Sequence, residues 1–138
     1  MRYLGVDYGT KKVGLALSDE TGSMGFPHAV ILVTPRLVDD MARIIAQEDV
    51  GAVVIGESRN LAGTDNAVMP AARAFAAELA ERTGVPISYE SEVYTSALAR
   101  RVPEREGKSR SVKVPSRLVD ASAAALILTS YLSRLHHG

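Results

Sequence analysis

The sequence predicts a single α/β domain built on a five-stranded mixed sheet, with three antiparallel strands first, parallel strands after them, and flanking helices. The chain has 138 residues, which is the length of one domain. Three short apolar runs separated by turns come first. After Pro35 the chain alternates between helical and strand patterns, as crossovers between parallel strands require.

The first three strands are predicted from short apolar runs and the turns between them. Residues 4–6 and 13–17 are apolar, and Gly9 between them can supply the positive φ of a tight turn. A second turn at residues 19–22 leads to another apolar run, which predicts a third strand over residues 28–33. The domain therefore opens with three antiparallel strands.

The remaining elements are predicted from apolar spacing. Helical spacing favours a helix over residues 36–48, and the continuous apolar run that follows it predicts a buried parallel strand. An Ala-rich helix ends near Thr83, and a strand follows over residues 86–91. The last part is predicted as a helix over residues 93–101, a polar loop over 103–115 and a final helix over 117–135.

Composition narrows the chemistry that this chain can perform. It carries 16 basic and 16 acidic residues, is 46% hydrophobic and has no cysteine. Disulfides, thiolate metal sites and thiol nucleophiles are excluded, so catalysis would use carboxylates, hydroxyls, His or Lys. The apolar runs are shorter than the roughly 20 residues of a membrane span, and the first residues lack the pattern of a signal peptide. We therefore expect a cytoplasmic protein without a membrane partner.

Three carboxylates lie at the ends of predicted elements. Asp7 stands inside an apolar strand, Glu92 lies where the fifth strand gives way to a helix, and Asp120 shares a helical stripe with Ala124 and Ile127. Capping of the hairpin turn by Asp7 and a helix-dipole role for Glu92 are the structural alternatives. An inward-facing Asp120 needs a partner, because an isolated buried carboxylate is costly. The three acids together favour a Mg²⁺ or Mn²⁺ site made of hard oxygen ligands.

Three segments, in order along the chain, resemble the YqgF/RuvX family. Residues 5–19 read Gly-Val-Asp-Tyr-Gly-Thr-Lys-Lys-Val-Gly-Leu-Ala-Leu-Ser-Asp. Residues 54–56 are followed by Asn-Leu-Ala-Gly-Thr at 60–64, and residues 120–128 read Asp-Ala-Ser-Ala-Ala-Ala-Leu-Ile-Leu. The resemblance implies an RNase H-like domain over residues 1–138 and a nuclease of pre-16S ribosomal RNA or of Holliday junctions. It matches Asp7 and Asp120 to the first and last acidic ligands of the family.

The middle motif departs from the family pattern. The family reads Asp-Glu-Arg-Leu-Thr-Thr, whereas this chain reads Ser-Glu-Val-Tyr-Thr-Ser at residues 91–96. Glu92 keeps the acid and Thr95 keeps a hydroxyl. A register two residues earlier would put Glu90 in the ligand role, but the Glu92 register also matches the residues that follow. The loop after Gly56 departs as well, and Arg59 lies in it.

Basic residues cluster just before Asp120. Residues 100–117 contain seven Lys and Arg against two Glu, a local balance of +5 within a neutral chain. A solvated surface loop is the alternative interpretation. The functional interpretation is that these basic residues contact substrate phosphates beside the acidic residues. The residues predicted to contact nucleic acid are Lys11, Lys12, Arg59, Thr95, Lys108, Arg110 and Lys113.

The predicted function is metal-dependent phosphodiester hydrolysis that processes the ends of pre-16S ribosomal RNA. The alternatives are a Holliday junction resolvase-like DNA endonuclease and a non-catalytic RNA-binding factor of ribosome assembly. Nucleotide phosphotransfer is a weaker alternative, since residues 7–14 also resemble the phosphate-binding hairpin of sugar kinases, which clamp ATP between two such lobes. We expect structured RNA as the partner, with branched DNA as the alternative and ribosomal precursor particles as its setting. The oligomeric state would be a monomer or a weak homodimer.

Overall fold

The computed structural model describes residues 1–9, 11–57, 68–91 and 119–137. Their elements follow one another as five strands and three helices. The order is β1 (Arg2–Tyr8), β2 (Lys12–Ser18), β3 (Gly25–Leu32), α1 (Leu37–Gln47), β4 (Val50–Glu57), α2 (Val68–Thr83), β5 (Ile87–Ser91) and α3 (Val119–His137). The predicted helix over residues 93–101 and the predicted loop over 103–115 lie outside the described residues.

The strands form one mixed sheet in the order β3-β2-β1-β4-β5. β1 pairs antiparallel with β2, and β2 pairs antiparallel with β3. β1 also pairs in parallel with β4, which pairs in parallel with β5. The predicted fold class and strand directions are therefore confirmed.

The predicted start of the third strand was wrong by three residues. β3 begins at Gly25, which pairs with Ser18, and not at residue 28. Pro27 lies inside β3, and a proline in the sequence argues against a strand that is hydrogen-bonded on both sides, so the residues before it were not predicted as strand. β3 is the outermost strand of the described sheet, where the missing N–H of a proline costs no ladder bond. A register shift between Leu15 and Ala16 further offsets the pairing beside it.

The first face of the sheet packs against α1 and α2. Alternation along β1 directs Leu4 and Val6 to this face, where both side chains are fully buried. Met41 of α1 and Leu79 of α2 are equally buried against them. Leu4 and Val6 therefore belong to the core on this face of the sheet.

The second face carries α3, which lies unusually close to the sheet. A Cβ atom placed on Gly5 would be 2.8 Å from Leu128 Cβ and 2.9 Å from the Ala124 carbonyl oxygen. A Cβ atom on Gly25 would be 2.9 Å from Leu128 Cβ. Glycine is therefore favoured at Gly5, where the Ala124 carbonyl oxygen and Leu128 Cβ occupy the space of a side chain, and at Gly25, where the Leu128 side chain occupies it.

The contacts of β1 show the direction of α3. Gly5 lies against Ala124 and Leu128, whereas the Tyr3 ring lies 6.2 Å from the Tyr131 ring, centroid to centroid. Earlier residues of β1 thus contact later residues of α3. The helix begins at the carboxyl end of β1.

None of the helices within the described residues has the length and apolarity needed to span a membrane.

Candidate active site

Asp7 lies near the carboxyl end of β1, on the face that carries α3. Its side chain is half-buried, and its partner on β2 is Gly14. The pairing of Val6 with Ile55 places Gly56 next to Asp7 on β4. The neighbours of Asp7 on the two adjacent strands, Gly14 and Gly56, therefore have no side chains. A side chain beside Asp7 on this face therefore comes from another element, as Ile127 of α3 does over Gly56.

The first turn of α3 lies toward the same end. Asp120 is the second residue of α3 and lies one turn before Ala124, whose carbonyl oxygen contacts Gly5. Ala124 and Ile127 are fully buried against the sheet, so the predicted inward stripe is confirmed for both. The side chain of Asp120 is outside the described atoms. The backbone thus brings the start of α3 toward the end of β1.

Glu90 has a different environment from Asp7. It lies on β5 and is paired with Gly56, and only 1% of the residue is exposed. Ser130 Oγ donates a hydrogen bond of 2.7 Å to Glu90 Oε2, and Arg134 Nη1 forms an ion pair with Glu90 Oε1. Both carboxylate oxygens are therefore engaged by α3.

Ile127 lies between Glu90 and Asp7. The Cδ1 atom of Ile127 occupies the space that a side chain on Gly56 would fill. Two strand spacings separate Asp7 from Glu90 across Gly56, which is about 10 Å between main chains. The carboxylate of Glu90 is consequently isolated from Asp7 by an aliphatic side chain. Glu92, the other candidate for the middle acid, is outside the described residues.

Two lysines lie at the hairpin between β1 and β2. The Gly9 N–H donates to the Lys12 carbonyl oxygen at 3.0 Å, and a Cβ atom on Gly9 would be 2.6 Å from that oxygen. The Val33 N–H donates to the Lys11 carbonyl oxygen at 2.9 Å. Both lysines are exposed, and strand alternation places Lys12 on the face that carries Asp7. The other predicted nucleic-acid contacts, namely Arg59, Thr95, Lys108, Arg110 and Lys113, lie outside the described residues.

The turn after β2 contains a carboxylate, Asp19, whose pKa is lowered by its hydrogen bonds. Ser23 donates to Asp19 from its hydroxyl at 2.7 Å and from its N–H at 2.8 Å, and the Thr21 hydroxyl donates at 2.7 Å. These hydrogen bonds, those from Ser23 first, hold the pKa of Asp19 well below its usual range. Asp19 follows the end of β2, at the sheet end opposite Asp7. Its role is to close the turn before β3.

The donor chemistry at Asp7 fits a hard divalent cation. Within the described side chains, no three Asp, Glu, His or Cys residues gather closely enough to hold a metal ion. Asp7 is the one predicted ligand whose side chain that part of the structure includes. A half-buried carboxylate at a strand end supplies the oxygen that Mg²⁺ and Mn²⁺ prefer.

Sequence reasoning missed the pairing of Glu90 with α3. Glu90 alternates with exposed Tyr89 along a short edge strand, and nothing adjacent to it in the sequence is basic. Arg134 is 44 residues away. Ser88, on the same strand face as Glu90, also contacts α3 through a 3.4 Å hydrogen bond from the Tyr131 hydroxyl, but the sequence carries no local signal for either contact.

Comparison with solved structures defines the class of fold. RuvC of T. thermophilus, in complex with a Holliday junction substrate, matches with a TM-score of 0.67 and 19% identity, covering 99% of this chain and 96% of its own. The fowlpox virus Holliday junction resolvase matches with a TM-score of 0.55 and 14% identity, covering 97% of this chain and 99% of its own. The fold is therefore that of the RuvC-like nucleases, which is the RNase H type.

Sequence comparison defines the family within that class. The family profile described as RuvX, Holliday junction resolvase, matches residues 1–134. A protein of Anaeromyxobacter sp. (strain Fw109-5) is 36% identical over 139 residues, covering 99% of each chain. A protein of Anaplasma marginale (strain St. Maries) is 35% identical over 133 residues, covering 95% of this chain and 83% of its own. Both carry the provisional name pre-16S rRNA nuclease.

The chain belongs to the RuvX family. It is a nuclease of the RuvC-like kind, a hydrolase that acts on phosphodiester bonds. The family that the sequence motifs predicted is thereby confirmed, and so is the predicted class of reaction, which is hydrolysis of phosphodiester bonds.

Proposed function

We propose that this protein hydrolyses phosphodiester bonds at the ends of precursor 16S ribosomal RNA, using Mg²⁺ or Mn²⁺ held by Asp7, Glu92 and Asp120. The observation that carries the proposal is the position of Asp7 at the carboxyl end of β1, facing the helix whose first turn contains Asp120. The RNA substrate is supported by the names of the two relatives. Such a substrate would place the protein in the cytoplasm, in contact with ribosomal precursor particles.

The fold supplies Asp7 on a rigid element. β1 is central in the described sheet, so the main chain of Asp7 is held by its pairing with Gly14 of β2 and by the pairing of Val6, just before it, with Ile55 of β4. A bound divalent ion lowers the pKa of an attacking water and offsets charge on the leaving oxygen. Asp7, Glu92 and Asp120 would hold that ion through carboxylate oxygens. Asp7 would contribute a fixed negative charge next to the scissile phosphate.

The proposed middle ligand is Glu92. Support for this choice comes from Glu90, the alternative in the other register. Both oxygens of Glu90 are engaged by Ser130 and Arg134, and Ile127 lies between Glu90 and Asp7. A carboxylate with these partners would have to break an ion pair before it could bind a metal.

Substrate phosphates would be contacted by two groups of basic residues. Lys12 lies on the Asp7 face of the β1–β2 hairpin, and Lys11 is exposed beside it. The second group is the basic segment of residues 100–117, with Lys108, Arg110 and Lys113 in it. Phosphate contacts of this kind position a strand without reading its sequence. Arg59 and Thr95 are proposed as further contacts.

Branched DNA is the second candidate substrate. It is favoured by the description of the family and by the junction bound to the RuvC structure. Symmetric cutting of a four-way junction needs two active sites, so this function would require a dimer. A monomer or weak homodimer suits trimming of RNA ends.

An RNA-binding assembly factor without catalysis is the third candidate, supported by the altered middle motif.

Parallel cleavage assays test the substrate. The parent protein, with Mn²⁺, is incubated with precursor 16S rRNA and with a four-way DNA junction in separate reactions. Asp7→Asn is the active-site variant, and Asp39→Asn is the matched control, because Asp39 pairs with Arg82 on the opposite layer. We expect cleavage of the RNA by the parent and the control, and none by Asp7→Asn.

Other outcomes of these assays decide against the proposal. Selective cutting of the junction would make branched DNA the substrate. If neither nucleic acid is cut and calorimetry detects no binding of Mn²⁺, the non-catalytic assembly factor is the correct alternative.

A further inference from the structure

A buried acidic group joins the edge strand β5 to the middle of α3. Glu90 is 1% exposed, and its two oxygens are bound by Ser130 and Arg134, which lie one helical turn apart. We infer that Glu90 is a positioning residue, which fixes α3 on the sheet and thereby holds Asp120 in place relative to Asp7. This inference rests on the metal site of the proposed function.

Burial makes the Glu90 contacts specific to one placement of the helix. A carboxylate removed from water is costly unless it is paired and hydrogen-bonded. Ser130 and Arg134 satisfy it together in a single rotation and a single axial position of α3. A slip by one turn would displace both donors by about 5.4 Å, beyond hydrogen-bonding reach. The Glu90 contacts are therefore directional.

The other described contacts of α3 with the sheet are mostly apolar. Ala124, Ile127, Leu128 and Leu132 pack against Ala16 and Val54 and against the glycines of the sheet. Apolar burial is non-directional and scales with area, so it does not by itself fix the angle of the helix. On the β3 side, the Gly25 N–H donates a 3.0 Å hydrogen bond to Thr129 Oγ1, which holds α3 at one point there. Directional bonds to Glu90 complement this packing from the far edge of the sheet.

The distance along the helix converts a small tilt into a displacement of the proposed ligand. Asp120 precedes Ser130 by ten residues, a length of about 15 Å along α3. A tilt of about 4° over that length moves the first turn by about 1 Å. Catalytic groups have to be held within about 0.5 Å of their working geometry. Loss of the Glu90 contacts would thus misplace Asp120 while the sheet keeps Asp7 in position.

The test is the binding of Mn²⁺, measured by calorimetry on the full chain, together with the Mn²⁺ dependence of cleavage. Glu90→Gln keeps the shape of the side chain but removes the charge that pairs with Arg134. Ser130→Ala removes one donor and serves as the second variant where Glu90→Gln does not fold. Asp39→Asn is again the control, since it breaks a carboxylate–arginine pair on the opposite layer.

We expect Glu90→Gln to bind Mn²⁺ about 10-fold more weakly, the loss typical of groups that support a metal ligand without touching the metal. Cleavage should recover at saturating Mn²⁺, and Ser130→Ala should shift in the same direction. Asp39→Asn should keep the parental affinity, because destabilisation alone does not move a proposed ligand.

Two results would overturn the positioning role and leave metal-dependent hydrolysis intact, although the second would replace Glu92 by Glu90 as the middle ligand. Parental Mn²⁺ affinity in folded Glu90→Gln and in Ser130→Ala would make Glu90 a purely structural group. Complete loss of Mn²⁺ binding in Glu90→Gln, with no recovery at any concentration, would make Glu90 a ligand. If the parent itself binds no Mn²⁺, the proposed metal site fails, and the positioning role fails with it.

Discussion

The close approach of α3 to β1 makes the Gly5→Ala substitution a quantitative test of the packing. The new Cβ would lie 2.8 Å from Leu128 Cβ and 2.9 Å from the Ala124 carbonyl oxygen, whereas ordinary contact begins at 3.4 Å. Both atoms belong to the rigid part of the helix, so α3 has to retreat by about 0.6 Å. Overpacking of this size costs about 1–3 kcal/mol.

The matched substitution is Gly51→Ala. There the new Cβ would meet Met1 Cγ and Sδ at 2.5 Å, atoms of a flexible side chain at the chain terminus. Met1 can turn aside, so the change in stability should stay within about 0.5 kcal/mol. The stability of each variant is measured by thermal unfolding followed by circular dichroism.

We expect Gly5→Ala to lower Tm by about 4–12 °C, at about 4 °C for each kcal/mol in a domain of this size. Gly51→Ala should change Tm by less than about 2 °C. Equal Tm values for Gly5→Ala and the parent would refute the direct contact between α3 and β1.

Three further predictions concern the turn, the hairpin and the core. Because its pKa is lowered in the folded state, ionised Asp19 stabilises the fold above the ordinary Asp pKa of about 3.9, and this stabilisation is lost as pH falls toward the folded-state pKa. The Tm difference between the parent and Asp19→Asn should therefore shrink below about pH 4. A difference that stays constant with pH would contradict this. Replacing Lys11 and Lys12 with Ala should reduce the slope of log binding constant against log salt concentration by about 0.7 for each lost phosphate contact with single-stranded RNA. The slope is measured by filter binding, and Arg43→Ala is the control that should leave it unchanged. An unchanged slope would exclude the hairpin from the interface. Leu79→Ala should cost about 2–5 kcal/mol in urea unfolding, because Leu79 is fully buried, and a cost under about 1 kcal/mol would contradict its core position.

Local patterns in the sequence were sufficient for most of the fold. Alternation in β1 separates Leu4 and Val6 from Gly5 and Asp7, and the structure buries the first pair against α1 and α2. Such patterns are readable because each strand or helix meets a face of constant polarity. The start of β3 was not readable, since whether Pro27 is tolerated depends on the strand being at the edge, which is a property of the whole sheet.

The candidate site could be predicted only in part for a related reason. Asp7 is conspicuous as a charged residue within an apolar strand, so its position was predictable from the strand alone. The contact of Glu90 with Arg134 joins residues 44 positions apart and has no local pattern. The placement of Ile127 above Gly56 likewise depends on how α3 crosses the sheet. Long-range contacts of this kind follow from tertiary packing and not from sequence periodicity.

Single-turnover cleavage of precursor 16S rRNA by Asp7→Asn is the most direct measurement of the proposed chemistry. Asn keeps the size of the side chain and removes one charged oxygen ligand, so the parental Tm should be retained. Cleavage in saturating Mn²⁺ should be slowed by more than about 100-fold, the largest loss that is typical of groups that merely support a ligand. Cleavage at the parental rate by folded Asp7→Asn would contradict a catalytic metal at the end of β1.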